Sequence, residues 1–223
     1  MISIIVPVYN EEKSLGEFLQ RLPYQDGIET IIADGQSLDA TASLARKYPV
    51  KIIQTIKNRA SQMNAGARIA QGDVFIFLHA DCFLGEGSLA AINDCLKKGY
   101  IGGCLSQRIN SDKIIYRLIE ASGNVRARLT KIFYGDQAIF ARRDIFLKLG
   151  GFDEVLLFED ILFSRKMERQ GRVKILSKKV FASSRRWDEG GVAKSTLIYW
   201  LLTLGFLLRI PFSRLKMMYN DIR

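Results

Sequence analysis

Several polar clusters in this chain have the residue types needed to bind and activate a charged ligand. Tyr9-Asn10-Glu11-Glu12, Asp34-Gly35-Gln36-Ser37-Leu38-Asp39, Lys57-Asn58-Arg59 and His79-Ala80-Asp81 each follow a short apolar run, and the last holds the only histidine. Taken singly, such loops read as ordinary turn and cap chemistry, because Asp, Asn and Gly are common there. Four of them at the ends of four apolar runs point instead to one ligand rim. Further along, Gly135-Asp136-Gln137 forms another loop, Glu159-Asp160 opens the amphipathic segment DILFSRKMERQG, and Arg185-Arg186-Trp187 offers guanidinium groups suited to bidentate phosphate contact. The acids at 159 and 160 also suit a helix N-terminus through its dipole.

The elements that must position these residues follow from the same runs. Residues 2–8, 28–33, 50–54 and 73–78 are rich in β-branched and aromatic side chains without polar alternation, as expected of strands buried on both faces. Segments with helical character lie between or after them, at about 12–21, 38–47, 60–71 and 87–98. Alternation at this spacing predicts a doubly wound α/β fold with a mostly parallel sheet flanked by helices. Ligands of such sheets bind beyond the carboxyl ends of the strands, where the polar clusters fall. Gly66 inside the third helical segment costs roughly 1 kcal/mol against Ala, which suggests a packing or ligand reason for it.

The composition narrows the class. With 223 residues, 48% of them hydrophobic, and three cysteines, the chain is neither a disordered tail protein nor a disulfide scaffold nor a polytopic membrane protein. Cys82, Cys95 and Cys104 lack the paired spacing of a zinc site and fit a reducing compartment. The start, MISIIVPVYNEE, has no basic leader and only a seven-residue apolar run, so a cytoplasmic location is expected. The formal charge is +10, yet residues 1–164 hold 19 basic and 19 acidic side chains, and residues 165–223 hold 14 and 4. The excess charge belongs to the C-terminal part.

Five motifs in order, SIIVPVYNEE, ADGQSLDAT, RASQMNAGARIAQGD, FLHAD, and GDQAIFARRDIFLKLGGFDE with FEDILFSRKMERQG, resemble the family 2 glycosyltransferases of the GT-A fold over roughly residues 2–190. With SSRRWDEGG, the chain looks like a small single-domain bacterial branch of that family. The resemblance implies a catalytic domain over 1–190, with a nucleotide-binding half at about 1–98 and an acceptor-side half at about 99–190, and a helical tail at 191–223. It implies an inverting transferase that takes a nucleotide-diphosphate sugar donor, a hydroxyl acceptor and Mg2+ or Mn2+. A diphosphate leaving group gathers negative charge, so a hard cation on carboxylate oxygen is the fitting partner. By the same resemblance Asp81 is the metal ligand, and Pro7, Tyr9, Glu11, Asp34, Arg59, Asn64 and His79 contact the donor. His79 replaces the first acid of the family's Asp-x-Asp motif. Asp160 is the general base, with Glu159 and Asp136 beside the substrates, and Arg185, Arg186 and Trp187 close over diphosphate and acceptor. They replace the Gln-x-x-Arg-Trp motif of processive relatives.

The tail has its own reading. Residues 197–208, LIYWLLTLGFLL, fall short of the roughly 17 to 20 residues that a span needs. Phe212, Leu215, Met218, Tyr219 and Ile222 then recur at helical spacing beside Arg214, Lys216 and Arg223. This predicts peripheral attachment to the inner, anionic face of the cell membrane, with a lipid or lipid-linked acceptor. The alternative is a helical pair packed on the catalytic domain or on a second subunit as a homodimer. No nucleic-acid recognition signature accompanies the cations. The rival functions are a non-catalytic, membrane-associated sugar-nucleotide-binding protein and a nucleotidyltransferase; the latter expects a Gly-rich basic loop where VYNEEKSLGE is acidic.

Overall fold

A computed structural model describes residues 1–155, 157–208, 210, 211, 214, 215 and 217. Its first part alternates β1 (Ile2–Val8), α1 (Glu12–Gln20), β2 (Ile28–Asp34), α2 (Thr41–Ala45), β3 (Lys51–Gln54), α3 (Arg59–Ile69) and β4 (Val74–Phe77). There follow β5 (Cys82–Leu84), α4 (Ser88–Lys97), β6 (Gly102–Asn110), α5 (Ile114–Thr130), β7 (Ile139–Arg142), α6 (Arg143–Lys148), α7 (Glu159–Gln170), β8 (Val173–Ser183), α8 (Arg185–Gly190) and α9 (Val192–Leu207). The four expected strands and four expected helical segments are all present, with boundaries shifted by a few residues.

The strands form one sheet in the order β3-β2-β1-β4-β7-β6-β8-β5. The β3-β2-β1-β4 block is parallel throughout, as is the β6–β8 pair, while β7 runs antiparallel to both neighbours and β5 antiparallel to β8. This is the doubly wound, mostly parallel α/β architecture that the sequence predicts. The absence of polar alternation in β1 and β4 has a direct cause: Ile2, Ile4, Val6 and Val8 enter one core with Leu15, Phe18 and Ile92, whereas Ile5 enters the other with Met63, Phe146 and Phe163. Val74 and Ile76 likewise face the first core, and Phe75 and Phe77 the second. A β-carbon on Gly66 would lie 2.6 Å from Ile5 Cγ2, so glycine lets α3 close onto β1.

Two later elements frame the site. The seventeen-residue α5 is fastened to β6 by Asn124, which accepts from Gln107 N at 2.8 Å and donates to Gln107 O at 2.9 Å, and by Glu120, which accepts from Ile109 N. The appended α9 packs Leu202 with Leu157 and Leu215, flanked by Phe158, Ile198 and Phe206. Phe212, Lys216, Met218, Tyr219, Ile222 and Arg223 lie outside the described residues. Among the described residues no helix is long and apolar enough to cross a membrane. Cys82, Cys95 and Cys104 are all buried and carry no disulfide.

Candidate active site

The first rim consists of the loops that follow β1, β2 and β3, and they are stitched together. Asn10 N donates to Ser37 Oγ, Leu38 N to Asn10 Oδ1, Glu11 N to Thr41 Oγ1 and Glu12 N to Asp39 Oδ2, at 2.8 to 3.1 Å. Asp39 also accepts from Thr41 N at 2.9 Å and so has a structural position at the entrance of α2. Buried Gln62 donates to Val8 O and Ala33 O at 2.7 and 2.8 Å, clamping the ends of β1 and β2. Asp34 is fully buried; its Oδ1 accepts from Ser37 N and Oγ, while Oδ2 has no hydrogen-bond partner among the described residues. Tyr9 carries Lys57 Nζ 3.7 Å above its ring, and Pro7 is half-buried beside Ala33 in the β1–β2 register. Asn10 and Gln36, in the loops after β1 and β2, hold positive φ values of 53° and 63°, uncommon for non-glycine residues.

The second group assembles around the start of α7. Gly135 N donates to Asp160 Oδ2 at 2.7 Å and Ile161 N to Asp160 Oδ1 at 2.7 Å, so each carboxylate oxygen is oriented by one backbone N–H and keeps further acceptor capacity. Burial, followed by the adjacent Glu159 carboxylate, pushes Asp160 up to about 7. Arg59 Nη1 forms an ion pair at 3.0 Å with Glu159 Oε1, a side chain only 5% exposed. The guanidinium therefore reaches across 100 positions of sequence to the N-terminal end of α7. Asn64 makes a reciprocal pair with the backbone of Phe152, donating to its O at 2.8 Å and accepting from its N at 2.9 Å. The glycine-rich segment before α7 serves this approach: Gly151 has φ +70°, and a β-carbon there would lie 2.5 Å from Asn64 Oδ1. Phe158, the residue before Glu159, has φ +71°, a strained position for an aromatic residue, and its ring stands against Phe206 of α9 with centroids 5.1 Å apart.

At the start of α7 lies a cavity of about 230 Å³. Of the residues singled out in the sequence it brings together Arg59, His79, Asp81, Asp136, Glu159, Asp160 and Trp187. Pro7, Tyr9, Glu11, Asp34, Asn64 and Arg185 are not on its wall. Arg185 instead places Nη2 3.6 Å from Glu11 Oε2, linking α8 to the first rim, and the side chain of Arg186 lies outside the described part of the molecule. Trp187 packs edge-on against Tyr116 of α5, centroids 6.1 Å apart. Asp136 accepts from Gln107 Nε2 at 2.6 Å. Ile119, Leu157, Phe158 and Leu202 add an apolar wall to the same cavity.

His79, Asp81 and Cys82 each offer one donor atom, and the three atoms lie within 4.8 Å of one another. Cys82 Sγ donates to Asp81 Oδ1 at 3.4 Å. A carboxylate, an imidazole and a thiol suit a divalent cation softer than Mg2+ better than they suit the all-oxygen preference of Mg2+. The sequence reading misses Cys82, because paired cysteine spacing is the wrong signal for a mixed donor set; its adjacency in His-x-Asp-Cys is the usable one. It also misses Gln107, Gly123 and Arg126, which line the cavity from β6 and α5.

Comparison with known proteins adds three findings. The profile of the family described as glycosyl transferase family 2 matches residues 3–150. The dolichol-phosphate mannosyltransferase of Pyrococcus furiosus is 29% identical over 147 residues, 59% of this chain and 42% of that protein. The dodecaprenyl-phosphate galacturonate synthase of Rhizobium johnstonii is 31% identical over 93 residues, 36% and 28%. The chain thus spans less than half the length of these curated relatives. Among solved structures, Staphylococcus aureus TarS in complex with UDP-GlcNAc matches with TM-score 0.65 at 20% identity, over 82% of this chain and 58% of that one. Pyrobaculum calidifontis mannosyltransferase PcManGT with GDP-Man and Mn2+ matches with TM-score 0.63 at 21% identity, over 81% and 56%. At these identities the structural likeness is one of fold.

Proposed function

The chain belongs to glycosyl transferase family 2, and on that premise we propose that it moves a sugar from a nucleotide-diphosphate donor to the hydroxyl of a lipid or lipid-linked acceptor, with inversion, on the inner face of the cell membrane. The observation that carries this reading is the position of Asp160. A carboxylate raised to about 7, oriented by two backbone N–H groups, shares one cavity with Asp81 and His79. A base with that affinity for protons is matched to a hydroxyl acceptor near neutral pH.

In this proposal Asp160 receives the acceptor's proton as the acceptor oxygen attacks the anomeric carbon from the face opposite the diphosphate. Arg59 holds Glu159 and places a positive charge beside the base. Asp34, Pro7 and Tyr9 form the nucleotide side, where the partnerless Oδ2 of Asp34 supports a role in accepting a hydrogen bond from the nucleoside once the loop opens. Asp81, with His79 and Cys82, would hold Mn2+ or Mg2+, and the donor set favours Mn2+; when bound, the cation neutralises charge developing on the leaving diphosphate. Arg185 is half-exposed and its ion pair with Glu11 is long, so it is free to turn from Glu11 to phosphate at little cost. The lipid character of the acceptor is supported by the apolar wall of the cavity and by the two relatives named for polyprenyl-phosphate acceptors.

The test is thermal-shift screening of nucleoside diphosphates and their sugars with and without Mn2+. A stabilisation that needs both metal and one nucleotide, and that weakens in Asp81→Ala, is the expected result. No shift with any nucleotide would remove the transferase reading.

A further inference from the structure

Two neighbouring helices carry apolar stripes that the fold leaves uncovered. On α5, Ile114, Leu118, Val125 and Leu129 recur at helical spacing on one face and are 81%, 65%, 50% and 79% exposed. They run about 22 Å along the helix. The opposite face, Tyr116, Glu120, Asn124 and Ala127, is the one fastened to the sheet. On α9, Leu197, Leu201 and Leu204, continued by Leu208 just past its end, form a second stripe, at least 42% exposed throughout, while Ile198, Leu202 and Phe206 pack inward. The helices are joined through α8, whose Trp187 clusters with Tyr116 of α5 and Val192 of α9. Both helices also line the cavity, α5 through Ile119 and Gly123 and α9 through Leu202.

We infer that α5 and α9 form one docking face for an anionic lipid surface, and that the acceptor lipid enters the cavity along the apolar wall the two helices share. The charge around the stripes selects this occupant. Residues 112–131 carry five basic side chains against two acidic, and residues 192–217 carry four against none. Arg128, Lys194 and Arg214 are exposed beside the leucines. Apolar side chains flanked by cations match acyl chains under phosphate headgroups, where each cation near the surface adds to the attraction. This inference rests on the membrane-surface reading above and extends it: the tail alone does not make the attachment, and α5, within the catalytic part of the chain, supplies half of it.

The test is flotation of the full chain with vesicles of phosphatidylcholine, alone and mixed with phosphatidylglycerol. The wild type is expected to bind the mixed vesicles and to release them as salt rises. I114Q/L118Q/L129Q and L197Q/L201Q/L208Q are each expected to lower the partition coefficient by about tenfold, equivalent to about 1.4 kcal/mol, with unchanged melting temperature and unchanged metal-dependent donor binding. Wild-type binding in I114Q/L118Q/L129Q would overturn the role of α5. So would a dimer in solution that this variant converts to monomer, with no vesicle binding by the wild type. Failure of the wild type to bind any donor, with vesicle binding intact, would count against the transferase reading and leave the docking face standing.

Discussion

Asp160 lies where two demands meet. Burial and the neighbouring carboxylate raise its proton affinity, and the N–H groups of Gly135 and Ile161 keep the ionised form aimed at the cavity. Two consequences can be measured. If Asp160 is the base, Asp160→Asn should lower the transfer rate by at least about 100-fold while donor binding persists, and wild-type activity should rise with pH through about 7; turnover equal to wild type would remove the assignment. The stability effect has the opposite sign. The folded chain holds this proton to higher pH than the unfolded chain, whose aspartate titrates near 3.8, so the contribution to stability is full below that value and is lost as pH rises through 7. Asp160→Asn does not titrate. Its melting temperature relative to wild type should therefore climb between about pH 4 and about pH 7 and level off above that, a trend that calorimetry can follow.

Packing between elements sets the geometry of the site. Gly66 lets α3 approach β1, and α3 delivers both Arg59 and the Gln62 clamp. Gly66→Ala would press a methyl group onto Ile5 in a filled core and should cost about 1–3 kcal/mol in urea unfolding. The α5 helix depends on a different device. Asn124 satisfies a buried backbone N–H and C=O of Gln107, so Asn124→Ala leaves both unpaired, a loss of about 1–3 kcal/mol. Because α5 also lines the cavity, and Gln107 holds Asp136, the same variant should raise the acceptor KM more than it changes donor binding. Equal effects on both substrates would show that α5 does not act on the acceptor side. The first four strands are legible in the sequence because each is a local apolar run. The α5 helix is not, because its exposed apolar stripe breaks the pattern of a helix with one apolar and one polar face.

Across the whole molecule, the tail and the acids at the start of α7 are mechanically joined. Phe158 keeps a left-handed backbone immediately before Glu159 and Asp160, and Phe206 of α9 covers its ring while Leu202 and Leu215 cover Leu157. A strained conformation of this kind costs about 1–3 kcal/mol and persists only where its surroundings hold it. Deleting residues 192–223 should therefore lower the melting temperature and reduce turnover with the donor, beyond any loss of membrane binding. A truncated chain with full activity in detergent would show that the tail does not support the site.

The sequence by itself determined the parallel block of the sheet, the order of the motifs and the strand-end loops that carry Asp34, Arg59, His79 and Asp81, because apolar runs and the loops after them are local features. It also placed the excess charge in the C-terminal part. Only the tertiary structure decided that Arg59 pairs with Glu159, that Gly135 aims Asp160, that Cys82 joins His79 and Asp81, and that α5 stands beside α9. Those relations join residues brought together by strand order and helix packing, and spacing along a chain does not carry distances between its folded parts.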